Sequence, residues 1–280
     1  MTQLDLKSIE PIIEFALKED IGNGDITTDS LIPQEARTTA TMTAKADGIV
    51  AGLEVAEMVF RKLDSKTVWQ TFVSDGQPVS KGDLIAKVEG SFRALLTGER
   101  TALNFLQRMS GIATATSVFV NSIKDLKTKI LDTRKTVPCL RLLDKYAVAA
   151  GGGTNHRIGL FDMVMIKDNH IKVAGNITNA VNGIRPKISN AIKIEVETTT
   201  LEEVQEAIAA GADIIMLDNM DNVTMAKAVA LIAGRAKVEA SGNMTLERLR
   251  KVAETGVDFI SIGALTHSVT AMDISMNIEI

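Results

Sequence analysis

With 280 residues, 45% of them apolar and 24% charged, the chain has the size of one large α/β barrel, or of a barrel with a smaller domain. Its net charge of −4 argues against a general nucleic-acid binder, which would carry a basic domain, so any cationic site is local. The single cysteine, Cys139, excludes an intrachain disulfide and suits a reducing compartment, and neither a membrane-spanning apolar run nor a signal peptide is read, since Met1 to Lys7 leads into no long apolar stretch.

Residues 6–20, LKSIEPIIEFALKED, place Ile9, Ile12, Ile13, Ala16 and Leu17 at helical spacing, and Gly22 and Gly24 then open a loop. TTATMTAKADGIVAG and KTVWQTFV read as short strands, and DGQPVSKGDLIAKVEG sets turns on both sides of a strand at residues 84–88. This β-rich stretch resembles a lipoyl- or biotinyl-carrier module, but Lys45 before Ala46-Asp47-Gly48 is a poor match to the lysine such a carrier needs. Residues 91–125 read as two helices broken near Ser110-Gly111. In the first, Phe92, Leu95, Leu96, Leu103, Leu106 and Met109 share a face, with Glu99 near its middle and Arg100 at its edge. Periodicity alone reads Glu99 and Arg100 as an ion pair; the sharper alternative is that Arg100 projects into a ligand site across a subunit boundary.

From residue 129 short β-rich runs, KILDT, MVMIK, IKIEVE, DIIMLD, AKVEAS and DFISIG, alternate with helical runs near 141–150, 175–185, 199–210, 221–233 and 244–255. That order implies parallel strands joined by right-handed crossovers, and six such strands suit an incomplete barrel. An internal repeat supports it. TLEEVQEAIAAGADIIMLDN aligns with TLERLRKVAETGVDFISIGA, and the preceding KIEVET with KVEASG, so one βαβ unit occurs twice.

In such barrels functional groups gather at the carboxyl ends of the strands. There this sequence sets Arg134 and Lys135, then Lys167, Glu197, Asp218, Ser241-Gly242-Asn243 and Gly263-Ala264. Two carboxylates on neighbouring strands suit a divalent cation or sugar hydroxyls, and the small residues offer backbone N–H groups to phosphate. Arg134, Lys135, His156, Arg157 and Lys167 form a cationic wall fitting phosphates or a dicarboxylate. The plainer alternative is that Lys135 and Lys167 pair with Glu197 and Asp218. The three histidines lack zinc-motif spacing, and there is no Gly-x-Ser-x-Gly elbow.

The segments DTRKT, GGGTNHRIGLFDMVMIKDNH, IEVET, MLDN and EASGN, in this order, resemble the quinolinate phosphoribosyltransferase (nicotinate-nucleotide pyrophosphorylase, carboxylating) family. EDIGNGDITT and GERTALNFLQRMSGIAT fit the same family, so the likeness covers essentially the whole chain. The resemblance implies an α/β fold, with an N-terminal α/β sandwich domain at residues 1–110 and an open TIM-like α/β barrel at 111–269. Residues of about 270–280 are expected to pack back on the first domain. It implies a pentosyltransferase making nicotinate mononucleotide, pyrophosphate and CO2 from quinolinate and 5-phosphoribosyl 1-diphosphate (PRPP) in de novo NAD synthesis.

It further implies Mg2+ brought with PRPP, no organic cofactor, a cytoplasmic enzyme with no nucleic-acid or membrane partner, and a homodimer or hexamer in which Arg100 reaches the neighbouring site. Arg134, Lys135, His156, Arg157 and Lys167 match the residues for the quinolinate carboxylates and nearby phosphates, with Thr133 beside the same turn. Glu197 and Asp218 match those facing the ribose and its metal. Ser241, Gly242, Asn243, Ile262, Gly263 and Ala264 match the phosphate-contacting loops. Lys135, Glu197 and Asp218 are the expected catalytic set. The alternatives are a related paralogue associated with molybdenum transport that shares the barrel, a Schiff-base aldolase with Lys135 or Lys167 as nucleophile, and a non-catalytic binder of an anionic metabolite.

Overall fold

The computed structural model describes residues 4–279; Met1, Thr2 and Gln3, where the stretch read for a leader begins, and Ile280 lie outside the described residues. In chain order the first elements are α1 (Leu6–Ile21), α2 (Ile26–Leu31), β1 (Arg37–Ala44), β2 (Gly48–Ile49), α3 (Leu53–Leu63), β3 (Val68–Thr71), β4 (Pro78–Val79), β5 (Leu84–Ser91) and α4 (Phe92–Ser122). There follow β6 (Lys129–Leu131), α5 (Arg141–Ala150), β7 (Val164–Ile166), α6 (Asp168–Ala174), α7 (Ile177–Ile184), β8 (Ile194–Thr198) and α8 (Leu201–Ala210). The chain ends with β9 (Ile214–Asp218), α9 (Asn222–Ile232), β10 (Lys237–Ser241), α10 (Leu246–Ala253), β11 (Phe259–Ser261), α11 (Ala264–His267) and β12 (Ile274–Ile278). No helix among the described residues is long and apolar enough to cross a membrane.

The chain forms two compact units. One takes the described residues within Met1–Ser117, Thr136–Gly152 and Leu265–Ile280; the other takes Val118–Lys135 and Gly153–Ala264. The first unit extends past residue 110 to end within α4, and it also takes in 136–152.

The first unit is built on an antiparallel sheet of order β12-β1-β5-β3. Strand β1 alternates as a half-buried strand should, turning Ala40, Met42 and Ala44 inward. Helix α3 buries Leu53, Val55, Ala56, Val59 and Phe60, a face for which each large side chain contributes about 1.5–3 kcal/mol. Helix α4 corrects the expected pair of helices: it is a single helix of 31 residues through Ser110-Gly111. The small residues serve close approach rather than a break. Ser110 Oγ accepts the Ala51 N–H at 3.0 Å, and a Cβ on Gly111 would stand 2.2 Å from the Thr270 carbonyl oxygen. Arg108 on α4 grips the buried Asp144 of α5 at 3.0 and 2.8 Å, which lessens the upward push of burial on that carboxyl without reversing it.

The second unit holds a parallel sheet of order β6-β11-β10-β9-β8-β7. Its strands are near-continuous apolar runs because both faces are covered. Side-chain caps start the crossover helices: Thr200 accepts from Glu203 N in a capping box on α8, Asp221 from Thr224 N on α9, and Thr245 from Arg248 N on α10. Thr154 bridges Leu131 in parallel beside β6 and extends the sheet by one short strand. Two residues on, His156 bonds Glu195 of β8 at 2.9 Å. In a flat sheet five strand spacings, roughly 24 Å, would separate them. The sheet is therefore rolled into a barrel. It stays open, since among the described residues no ladder joins β7 to the Thr154 segment.

Candidate active site

Asp132, buried after β6, anchors the segment that carries His156. Its carboxylate accepts the His156 N–H at 2.9 Å and the Asn155 side-chain amide at 2.6 Å, while its own N–H donates to Thr154 O at 3.2 Å. At the tip just beyond, Thr133 Oγ1 accepts the Lys135 N–H at 3.0 Å, and the Lys135 side chain is exposed.

Arg157 follows His156 and turns inward. One terminal nitrogen donates to Met163 O at 3.1 Å, yet its buried Nε meets no acceptor. Burial, then the neighbouring Arg134 guanidinium, push Arg157 below its ordinary value. The two guanidinium groups are thus near enough to repel one another, an arrangement that an anion relieves.

Lys167, at the end of β7, gives its ammonium to Glu197 Oε2 at the end of β8, 2.6 Å away. The plainer reading of Lys167 is thus realised with Glu197. That ion pair occupies one of the two amines, Lys135 and Lys167, that a Schiff-base reaction could use. Asp218 ends β9, and its Oδ2 accepts from Asn219 Nδ2 at 2.8 Å.

The next tip is tightly built. Gly242 has φ +96°, and a Cβ there would lie 2.1 Å from Asn219 Oδ1. Asn219 and Asn243 also sit in the left-handed region, at φ 54° and 47°. Arg248 staples the two loops from below, donating to Gly242 O at 3.1 Å and Met220 O at 2.7 Å. Glycine is thus required for close approach, and Ser241, Gly242 and Asn243 stand beside Asp218. Ile262 differs from its neighbours: its side chain is buried and its N–H donates to Leu131 O at 3.0 Å, so it is scaffold rather than an amide donor. Gly263 and Ala264 lie at the same end of the sheet, where α11 begins.

His156 is placed otherwise than an open anion ligand would be. Its side chain is 7% exposed, its Nε2 is 2.9 Å from Glu195 Oε2 and 3.3 Å from Glu239 Oε2, and its Nδ1 accepts the Arg157 N–H at 2.8 Å. Burial disfavours a charged ring, but the two carboxylates outweigh it and push His156 up to about 10. The amide at Nδ1 works the other way, since it belongs to the Nε2–H tautomer. Burial and the charge of Glu239 raise Glu195, which offers the second proton a place.

Arg100 belongs to the other compact unit. It is exposed on α4 and lines a cavity of about 360 Å3 with Asp20, Asp25, Leu96 and Thr97, while Glu99 is half-buried. Glu195, Glu239, Ser261 and Arg248 were not singled out in the sequence. The signal for the two glutamates was present, since KIEVET and KVEASG align Glu195 with Glu239 inside otherwise apolar strands.

Cations, carboxylates and small amide-presenting residues converging on the carboxyl ends of parallel strands define an α/β-barrel enzyme for a multiply anionic substrate. The sequence models of known families narrow that class. The quinolinate phosphoribosyl transferase C-terminal domain matches residues 112–277, and the N-terminal domain of the same family matches 25–110. Among relatives, a chloroplastic nicotinate-nucleotide pyrophosphorylase [carboxylating] of Oryza sativa subsp. japonica is 49% identical over 98% of this chain and 78% of its own length. A probable nicotinate-nucleotide pyrophosphorylase [carboxylating] of Bacillus subtilis is 45% identical over 100% of this chain and 96% of its own. The crystal structure of NadC from Streptococcus pyogenes superposes with a TM-score of 0.95 at 41% identity, covering 99% of this chain and 98% of that one. This chain belongs to the quinolinate phosphoribosyltransferase family.

Proposed function

We propose that the chain transfers the phosphoribosyl group of PRPP to quinolinate with decarboxylation, giving nicotinate mononucleotide, pyrophosphate and CO2 for NAD biosynthesis. It is a pentosyltransferase. The observation that carries the substrate end is the crowding of Arg134 and Arg157, with the buried Arg157 Nε lacking an acceptor. A pyridine dicarboxylate supplies the missing anion and fits a guanidinium fork.

Arg134 and Arg157 hold the ring so that its nitrogen meets the anomeric carbon as pyrophosphate leaves. Glu197 and Asp218 face the ribose and favour the positive charge that develops there. Ser241, Gly242, Asn243, Gly263 and Ala264 line the phosphate end, with Ile262 setting their backbone. Glu197 and Asp218 are hard oxygen donors on adjacent strands, each with one oxygen engaged by a neighbour, and they fit Mg2+. The ion would neutralise charge on the departing diphosphate.

In the second step the bond between the ring and the carboxylate beside the nitrogen breaks. Its electron pair stays on the ring carbon, stabilised by the cationic nitrogen, and CO2 departs. Lys135, exposed at the tip, delivers the proton. Quinolinate labelled in that carboxylate, mixed with PRPP and Mg2+, should release one CO2 per nicotinate mononucleotide. Unchanged quinolinate at millimolar concentration would contradict the assignment.

The active form is a homodimer or hexamer in the cytoplasm, with Arg100 completing the partner's site. Its exposure on a cavity-lining helix face supports this role. Arg100→Ala and Lys135→Ala chains, each inactive alone, should then regain activity on mixing. No recovery would place each site within a single chain.

A further inference from the structure

Beneath the charged rim lies a polar cluster with no part in the chemistry above. Glu195 and Glu239 are fully buried on β8 and β10, and each keeps a carboxylate oxygen without a hydrogen-bond donor, Oε1 of Glu195 and Oε2 of Glu239. Ser261 on β11 donates its hydroxyl to Glu239 Oε1. His156 meets both carboxylates through Nε2 and receives the Arg157 amide at Nδ1. The chain of contacts therefore runs from Ser261 through Glu239 to His156 and on to the backbone that carries the Arg157 guanidinium.

Burying two carboxylates side by side carries a desolvation penalty of several kcal/mol per ion, and well-packed apolar residues of similar volume are often at least as stabilising. The repeat sets a glutamate at the same register in both copies although the strand tips above them differ. A core that needed only packing would not hold this pair, whereas one that must hold an imidazole nitrogen between two carboxylates would.

We propose that Glu239, backed by Ser261, and Glu195 are positioning residues: they lock the His156 ring, and through it hold the Arg157 amide and guanidinium at the quinolinate end of the site. The inference rests on the proposed function, and it assigns these residues no contact with substrate. Its signature is selective, because the lock supports one end of the site only.

The test is steady-state kinetics with quinolinate and PRPP varied separately, beside calorimetric binding of quinolinate. Glu239→Gln should raise the KM and Kd for quinolinate about tenfold and Ser261→Ala about threefold, each leaving the KM for PRPP within about twofold. Ser261→Thr, which keeps the hydroxyl, should restore the wild-type values. In a His156→Gln background Glu239→Gln should add less than about twofold, since residues in one network are not additive.

Equal rises in both KM values, or full additivity with His156→Gln, would overturn the inference while leaving the transferase activity standing. The three ligand atoms lie within 4.8 Å of one another, so a stoichiometric metal ion in the purified chain that Glu239→Gln removes would overturn it as well. A wild-type chain that neither binds nor decarboxylates quinolinate overturns the functional reading, and the inference with it.

Discussion

The two copies of the repeated βαβ unit differ at their tips and agree one step inside. The first ends its strands in Glu197 and Asp218, the second in Ser241 and in Gly263 beyond β11. Within the strands, Glu195 and Glu239 occupy matching positions and both turn to His156. The repeated unit thus shares its inner polar register while its rim differs, a carboxylate side in one copy and an amide side in the other. A sugar cation developing between a diphosphate and a base needs both: negative charge near the ring and N–H groups near the phosphates.

Removing a cation from the Arg134 and Arg157 pair should do most harm. Arg134→Ala should lower kcat/KM for quinolinate on the order of 10²–10³-fold, matching the roughly 2–5 kcal/mol lost when one partner of a buried charge contact is removed. A near-normal value would break the account of the substrate end. The carboxylate tip comes next. Asp218→Asn should lower kcat on the order of 10²-fold while the KM for quinolinate stays within about threefold. Equal losses in Asp218→Asn and Ser241→Ala would erase the proposed division between the copies.

A smaller effect, mainly on stability, is expected for Gly242→Ala. The added Cβ meets Asn219 Oδ1 at 2.1 Å from a backbone at φ +96°, so urea unfolding should show a loss of about 1–3 kcal/mol with a raised KM for PRPP. An unchanged midpoint and unchanged KM would show that this tip is looser than its contacts imply. Least affected should be Ser241→Ala, with a KM for PRPP raised about threefold and kcat preserved, because one neutral hydrogen bond contributes about 1 kcal/mol.

The barrel strands were legible because parallel strands covered on both faces leave unbroken apolar runs, and the alternation with helices fixed their direction. Their tips were legible through the rule that ligands meet the carboxyl ends of strands. Other features were hidden for identifiable reasons. Ser110-Gly111 looked like a helix break, yet small residues also serve tight packing, and only tertiary contacts with Ala51 and Thr270 decide between the two. Helices α2, α3 and α6 were passed over; α2 and α6 span only six and seven residues, too few for periodicity to register.

The inner glutamates escape the strand-tip rule because Glu195 and Glu239 lie inside an apolar run rather than after it. Pairing of Lys167 with Glu197 had been weighed from the sequence, but choosing it required knowing that β7 and β8 are neighbours in register, with Ile166 beside Val196. The fate of His156 lay further out of reach: its partners are brought near only when the sheet rolls up, a property of the whole unit and not of any local segment.

At the substrate end, Arg134 and Arg157 are proposed to form one receptor for a dicarboxylate. Calorimetric titration of quinolinate into the wild-type chain and into Arg134→Ala, Arg157→Ala and the double variant tests this directly. Saturable wild-type binding, lost in each single variant and no weaker in the double than in the singles, is the predicted result. Binding of undiminished strength to the double variant would contradict it.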